Sequence, residues 1–541
     1  MSPARRALTG LVGAAAMIAA ITVLSRVLGF VRVLLLAGQV GTEQIADAYN
    51  WANTMPNVLF EIAAGGALAG AVVPLLAGPI ARGERKDVDR TASGALGWTL
   101  LVLVPLAALL AACSGPFAHH FADGDAALAD AIRFFVVVFA IQVPMYGVAV
   151  LLYAVLQAHK RFFWPAFAPV LFSLVLIATY LVYGALADGE TVDPAALPGS
   201  ALPVLAWGTT LGVATMCLPM FLPVRALGVR LRPTLRFPPG VATRLRTLAL
   251  AGVGSVAAQQ LSLVAVIVAS SWKQFADTGT YTAFMLTQQV YLLPYAVLVV
   301  PLATSTFPRL AARAARGDRT GFAAMASVTT RAVLVAAACG VAAVVAAAVA
   351  VGTVFAAISA NPGLAPRMAD GLVWMMPGLF GFAVLFHASR SLYALERGRS
   401  AVTANVVGWG TVAVGTLVLV PAQLPGDDAL TSIAAASSLG MLVGGATALG
   451  LLRRAAGPGA LAGLVRTASV LVVATGVGAV VGRWLSDLVQ DVAGGDSLTA
   501  VGAAAGAGVV AVGVVLGAVA LLDRATITGI VRAEREKVPA Q

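Results

Sequence analysis

Apolar stretches of about 20 residues, each long enough to carry a helix across roughly 30 Å of hydrocarbon, follow one another along this whole chain. That pattern leaves few folds open. In lipid, backbone N–H and C=O groups must find partners within the protein, so repeated apolar segments of this length specify a bundle of membrane-spanning helices. Composition agrees, with 60% hydrophobic and 11% charged residues and a mean hydropathy of +0.91. Soluble domains are roughly half apolar and a quarter charged. The windows number about fourteen. The first two lie at 8–39 and 46–78 and the seventh at 243–272, and no stretch between windows is long enough for a soluble domain.

The net charge of +11 is scattered through short loops and forms no single basic stripe, which argues against a nucleic-acid partner. Topology accounts for it better. Arg82, Arg85, Lys86 and Arg90 alternate along the chain with Asp123 and Asp125, then Lys160 and Arg161 with Glu190 and Asp193, and the alternation continues to Arg453 and Arg454. Lys and Arg collect in cytoplasmic loops, so both termini are expected in the cytoplasm. Arg5 and Arg6 before an apolar run imitate a signal peptide. Because that run continues past Arg26 and Arg32 to Val40, it is read as a retained first span.

No nucleophile elbow, phosphate-binding loop or metalloprotease motif is present. The reading is therefore not an enzyme, with no cofactor and no metal, and any transport must draw on a coupling ion, the membrane potential or a partner. Cys113, Cys217 and Cys339 lie in apolar segments without ligand spacing and are expected to be small buried hydrophobes. His119 and His120 are expected to be solvated. His387 is expected to be a hydrogen-bonded packing residue.

A weak internal repeat runs at an offset of roughly 235 to 240 residues, the kind of symmetry transporters carry. It places Pro74 opposite Pro308 and Tyr153 near Tyr393. The expected fold is an all-α membrane protein of about 14 spans, with two pseudo-symmetric six-helix lobes and an added helix pair. The boundaries read as 1–224 for the first lobe, 225–454 for the second, 455–522 for the helix pair and 523–541 for a cytoplasmic tail.

The run "SRVLGFVR", Ser25 to Arg32, places two guanidinium groups where each costs at least ~2.5–3.5 kcal/mol to insert. Asp47 and Glu61 in span two are equally conspicuous. Six residues turn an ideal helix by about 240°, so Arg26 and Arg32 share a face only if the helix bends or packs closely at Gly29. Two readings stand. The arginines pair internally with Asp47 and Glu61 or snorkel toward headgroups, or they contact an anionic substrate. Arg26 lies nearer mid-membrane, and Arg32 nearer the outer end of its span. In span two, Pro56, Gly65 and Gly66 suit a helix that kinks or moves.

The stretches "SRVLGFVRVLLLAGQVG" and "ADAYNWANTMPNVLFEIAAGGALAGAVVPLLA", with the later "HKRFFWPAFAPVL", resemble the MurJ/MviN family of lipid II flippases within the MOP exporter superfamily. The resemblance implies a flippase in the bacterial plasma membrane. Such a protein moves the undecaprenyl-diphosphate-linked peptidoglycan precursor from the inner to the outer leaflet by alternating access. It implies that Ser25, Arg26 and Arg32 bind the diphosphate headgroup and that Asp47 gates or ion-pairs; Glu61, Gly29 and Pro56, read from the residues alone, are further gating or ion-pairing candidates. Second-lobe cavity candidates are Gln288, Gln289 and Arg390, with Arg331 a further cation.

The chain departs from the family pattern at Phe60, Glu61, Gly65 and Gln289, where members carry charge. The implied partners are lipid II or a similar polyprenyl-diphosphate glycan, the bilayer and cell-wall synthesis proteins. Competing readings are a flippase for another lipid-linked oligosaccharide, an ion-coupled drug exporter of the same superfamily and a non-transporting envelope scaffold.

Overall fold

A computed structural model describes residues 3–493 and 497–535, and every element among them is helical. The chain divides into two compact units, Met1–Gln260 and Leu261–Gln541.

The first unit holds α1 (Pro3–Leu35), α2 (Gln44–Phe60), α3 (Gly66–Ala81), α4 (Arg85–Ala112), α5 (Ser114–Ala122), α6 (Ala126–Ala140), α7 (Gln142–Ala158), α8 (Phe163–Ala187), α9 (Ala201–Cys217) and the short α10 (Phe221–Ala226). The helix α11 (Val241–Ser270) carries the chain across the division. The second unit holds α12 (Thr280–Pro294), α13 (Val300–Ala315), α14 (Arg319–Ile358), α15 (Leu364–Met375), α16 (Gly378–Ala394), α17 (Gly398–Leu419), α18 (Ala429–Ala456), α19 (Leu464–Ala493), α20 (Ser497–Leu522) and α21 (Arg524–Arg535). In the first unit α8 packs on α1 and α9, and α7 on α3 and α4. In the second, α18 packs on α16 and α17, while α14 packs on α19 and α20 and also on α15 and α16.

Eleven helices among the described residues are long and apolar enough to span a membrane, or twelve if α15 and α16, bent by 46°, count as one span. The expected fourteen is therefore not reached on length and composition. Span two enters the count only through the shorter apolar stretch Ala71–Ala81. Its helix passes through Pro56 and then widens into a π turn at Glu61–Gly65 before α3 resumes. For span seven only the shorter apolar stretch Gly254–Ser270 enters the count.

Span eight breaks in the same way, with a π turn at Tyr295–Val299 between α12 and α13. The two π turns stand 234 residues apart, as do Pro74 and Pro308, and α3 and α13 are both 16 residues long. The repeat glimpsed in the sequence is thus written into the order and irregularities of the helices.

The first span departs from expectation. α1 runs without a break through Gly29, a Cβ placed there would meet nothing within 4 Å, and the irregular turn comes later, at Leu36–Val40. Gly29 therefore supplies neither a kink nor a close approach. Cys217 and Cys339 are buried as expected, but Cys113 is exposed, because it ends α4 at the turn into α5.

Glycine does matter where α16 meets α18. A Cβ on Gly381 would strike the backbone of Met441, and one on Gly445 would come within 2.7 Å of the backbone of Gly381. Small residues let helix backbones approach this closely when no hydrophobic force drives them together in lipid.

Past the last span, α21 is tied to the second unit by a compact polar knot. Asp523, 2% exposed, accepts hydrogen bonds from Thr467 Oγ1 at 2.5 Å and Thr526 Oγ1 at 2.7 Å, and Arg331 Nη1 donates to Thr526 Oγ1 at 3.0 Å. Burial pushes the Asp523 carboxyl up, but the two threonine hydroxyls, the Thr526 backbone and the nearby Arg331 charge outweigh it and hold the carboxyl below its ordinary value.

A group depressed in this way stabilises the folded knot above its unfolded pKa of about 3.9, and that contribution is lost as pH falls through the folded value. Asp523→Ala should loosen the knot at neutral pH by about 1–3 kcal/mol, since it leaves buried donors without their acceptor. Limited trypsin digestion of the membrane-embedded protein should then cut after Arg524 sooner than in the parent. An unchanged cleavage order would show that the knot does not hold α21.

Candidate functional site

Arg32 is the best-placed cation of the first unit. Near the end of α1, its guanidinium lies over the ring of Phe172 in α8, 4.9 Å from the centroid. It also interacts electrostatically with Tyr49, Tyr146 and Tyr180. Those tyrosines belong to a hydroxyl layer that crosses the unit. Tyr49 Oη lies 3.0 Å from both Tyr180 Oη and Thr209 Oγ1. Gln142 Nε2 donates to Thr210 Oγ1 at 3.0 Å, and Tyr146 Oη donates to Gln142 Oε1 at 3.4 Å.

Rings fix these hydroxyls in place. Tyr49 meets Phe135, Phe139 and Tyr180 edge to face, and Phe60 lies 5.9 Å from Tyr146. A guanidinium stacked on an aromatic face keeps its N–H fork free for a carboxylate or phosphate group. The neighbouring hydroxyls can add donors to the same oxygens.

The other sequence candidates distribute unevenly. Arg26 is exposed and Ser25 half-buried, one to two turns before Arg32 on α1. Among the described residues neither Arg26 nor Arg32 forms an ion pair, so of the two readings the internal pairing with Asp47 and Glu61 is not what the unit uses. Asp47 is 2% exposed in the first turn of α2 and is engaged. Nearby, Glu43 accepts a hydrogen bond from Thr191 Oγ1 at 2.8 Å. Glu61 is half-buried within the π turn, its carboxylate lying over Gly65. Pro56 is buried in α2 one turn before that break.

In the second unit Gln288 is half-buried and Gln289 exposed on α12. Arg390 stands on α16, 4.3 Å over the ring of Phe386, and its Nη1 donates to Thr304 Oγ1 of α13 at 3.2 Å. Tyr295 stacks on Phe382 at 4.4 Å and meets Phe386 edge to face. Each unit therefore carries one arginine seated on an aromatic ring beside hydroxyl groups. His387 is 1% exposed with Nε2 3.0 Å from Thr329 Oγ1, the packing role expected of it. Arg331 donates to Thr526 in the knot at α21 and, with Arg319 and Ser327 of the same helix, lines a cavity of about 580 Å³. No group of three or more metal-ligating side chains occurs among the described residues.

The tyrosines, Gln142, Thr209 and Phe172 were not singled out from sequence. Isolated hydroxyls in apolar windows carry no period, and Tyr49 and Thr209 are 160 positions apart.

A family model described as "Lipid II flippase MurJ" matches residues 36–501. The chain belongs to the MurJ family. Among curated relatives, a probable lipid II flippase MurJ of Rhizobium meliloti (strain 1021) is 31% identical over 311 residues, 56% of this chain and 54% of the relative. One of Haemophilus influenzae (strain ATCC 51907 / DSM 11121 / KW20 / Rd) is 27% identical over 309 residues, 54% of this chain and 56% of the relative. The alignments thus span about half the length of these relatives.

In fold, the chain is similar to a solved lipid II flippase MurJ in an inward closed conformation. The TM-score is 0.72 at 16% identity, covering 94% of this chain and 99% of that one. It is also similar to an inward-facing multidrug resistance MATE transporter of the MOP superfamily, with a TM-score of 0.65 at 12% identity over 80% and 94% of the two chains. The MurJ-family match extends through α19 to the start of α20.

Proposed function

We propose that this chain is a flippase for lipid II, moving the precursor from the cytoplasmic to the outer leaflet of the bacterial inner membrane by alternating access, with both termini in the cytoplasm. The observation that carries the reading is Arg32 seated on Phe172 beside the tyrosine layer, inside a MurJ-family chain. A diphosphate headgroup carries about two negative charges. Crossing the full field of a membrane negative inside favours its outward movement by ~2.3 kcal/mol per charge per 100 mV, so the potential can drive the step without a nucleotide. Arginine supplies an always-charged fork that lowers the barrier for the headgroup while the prenyl chain stays in lipid. The role is transport and not catalysis.

The test is a strain depleted of its own flippase. Expression of this chain should restore growth and return lipid II to the outer leaflet, read by its accessibility to an external probe. Lipid II that reaches the outer leaflet equally well without the chain, with no second flippase present, would overturn the proposal. A scaffold is separated from a flippase by Arg26→Ala, which leaves a scaffold's function intact wherever the protein still folds.

A further inference from the structure

Where α10 ends and α4 begins, the first unit forms an open cleft of about 860 Å³ whose wall includes Arg85, Arg225, Arg230 and Arg232 together with Phe221 and Leu231. No acidic side chain lines it, and among the described residues none of the four guanidiniums has an ion-pair partner. All four arginines are exposed, and a cleft lined by one sign of charge focuses the field and concentrates counter-ions within it.

The arrangement is built and not incidental to a loose loop. The segment that follows α10 is strapped along α4 by its backbone. Arg230 N donates to Asp89 Oδ1 at 3.0 Å, Arg232 N donates to Ser93 Oγ at 3.0 Å, and Ser93 Oγ donates to Arg230 O at 3.3 Å. Farther along, Thr234 N donates to Ser93 O at 3.3 Å and Trp98 Nε1 to Leu235 O at 3.1 Å. Two glycines of α4 make room. A Cβ on Gly97 would strike the backbone of Thr234, and one on Gly94 would come within 2.7 Å of the Phe237 ring. The main chain of Arg230 and Arg232 is thereby fixed, and Asp89 of α4, which meets the strap, accepts a backbone N–H from it.

We propose that this cleft is a second anion site, separate from Arg32, that holds the phosphate of a net-anionic lipid headgroup from the leaflet it faces. Basic pockets between helices at a membrane surface take such headgroups. The half-apolar wall of Phe221 and Leu231 suits the carbons adjoining a lipid phosphate better than a fully hydrated soluble anion. The phosphate could belong to a bulk anionic phospholipid or to a polyprenyl diphosphate, and the site recognises the chemistry the two share.

The test uses the full-length protein in nanodiscs of phosphatidylcholine doped with either phosphatidylglycerol or undecaprenyl diphosphate, with retained lipid counted by native mass spectrometry. The parent should retain at least one doped lipid over phosphatidylcholine, and which one identifies the source. Combined Arg225→Gln, Arg230→Gln and Arg232→Gln should lower that retention on the order of a hundredfold. Leu231→Trp, which keeps every arginine and so the charge that orients the chain, should lower it comparably by filling the space. The proposal fails if the parent shows no preference for either doped lipid, if the triple variant retains as much as the parent, or if Leu231→Trp retains as much while the triple variant does not. That last result would mean diffuse surface attraction without a site.

Discussion

Arg32→Gln is expected to cut lipid II translocation by about ten- to a hundredfold, the worth of one to two hydrogen bonds to a charged group, while leaving the protein folded. The side chain is half-buried and rests on Phe172, so glutamine fills much of its volume. What is lost is the fixed charge beside the tyrosine layer. Arg32→Lys should fall between the two, since an ammonium keeps the charge but loses the planar fork and the stacking. Outer-leaflet lipid II in a depletion strain measures all three proteins on one scale. An Arg32→Gln protein that transports at the parental rate would remove Arg32 from the headgroup path and shift attention to Arg26.

Gly381→Leu is expected to have the largest effect on stability. Its would-be side chain meets the main chain of Met441, and Gly445 on the same helix meets the main chain of Gly381. Backbone cannot rotate aside as a side chain can, so α16 and α18 must separate. Overpacking of this kind costs about 1–3 kcal/mol or more, beyond the roughly 1 kcal/mol that replacing a helical glycine returns. The measurement is thermal unfolding of the purified protein in detergent, where Gly381→Leu should melt well below the parent or fail to give a monodisperse species. Gly29→Leu is the control. A Cβ there meets open space, so that variant should melt with the parent.

These two glycines show where sequence reading succeeds and where it stops. Hydropathy locates spans well because lipid imposes the same demand on every one of them, and the π turns, which it cannot see, fall inside spans it had already found. At single residues the signal thins. "SRVLGFVR" announces two arginines against an apolar background, yet says nothing of Phe172, which meets Arg32 from a helix 140 residues away. The reading of Gly29 as a hinge rested on residue type, and residue type cannot distinguish a glycine that faces open space from one pressed against a backbone. Gly381 was passed over for the same reason. The polar partners of Arg32 were hidden because tyrosine and threonine are unremarkable one at a time and become a layer only when α2, α7, α8 and α9 are brought together.

The matching π turns at Glu61–Gly65 and Tyr295–Val299 bear on which way the following helices face. A π turn is an α-helix with one residue inserted, and everything after the insertion is rotated by about 100° relative to what precedes it. The two extra residues, one in each unit, therefore reset the facing of α3 and α13 in the same sense. A one-residue deletion in either π turn would turn Pro74 or Pro308, and the whole face that follows it, away from its present neighbours.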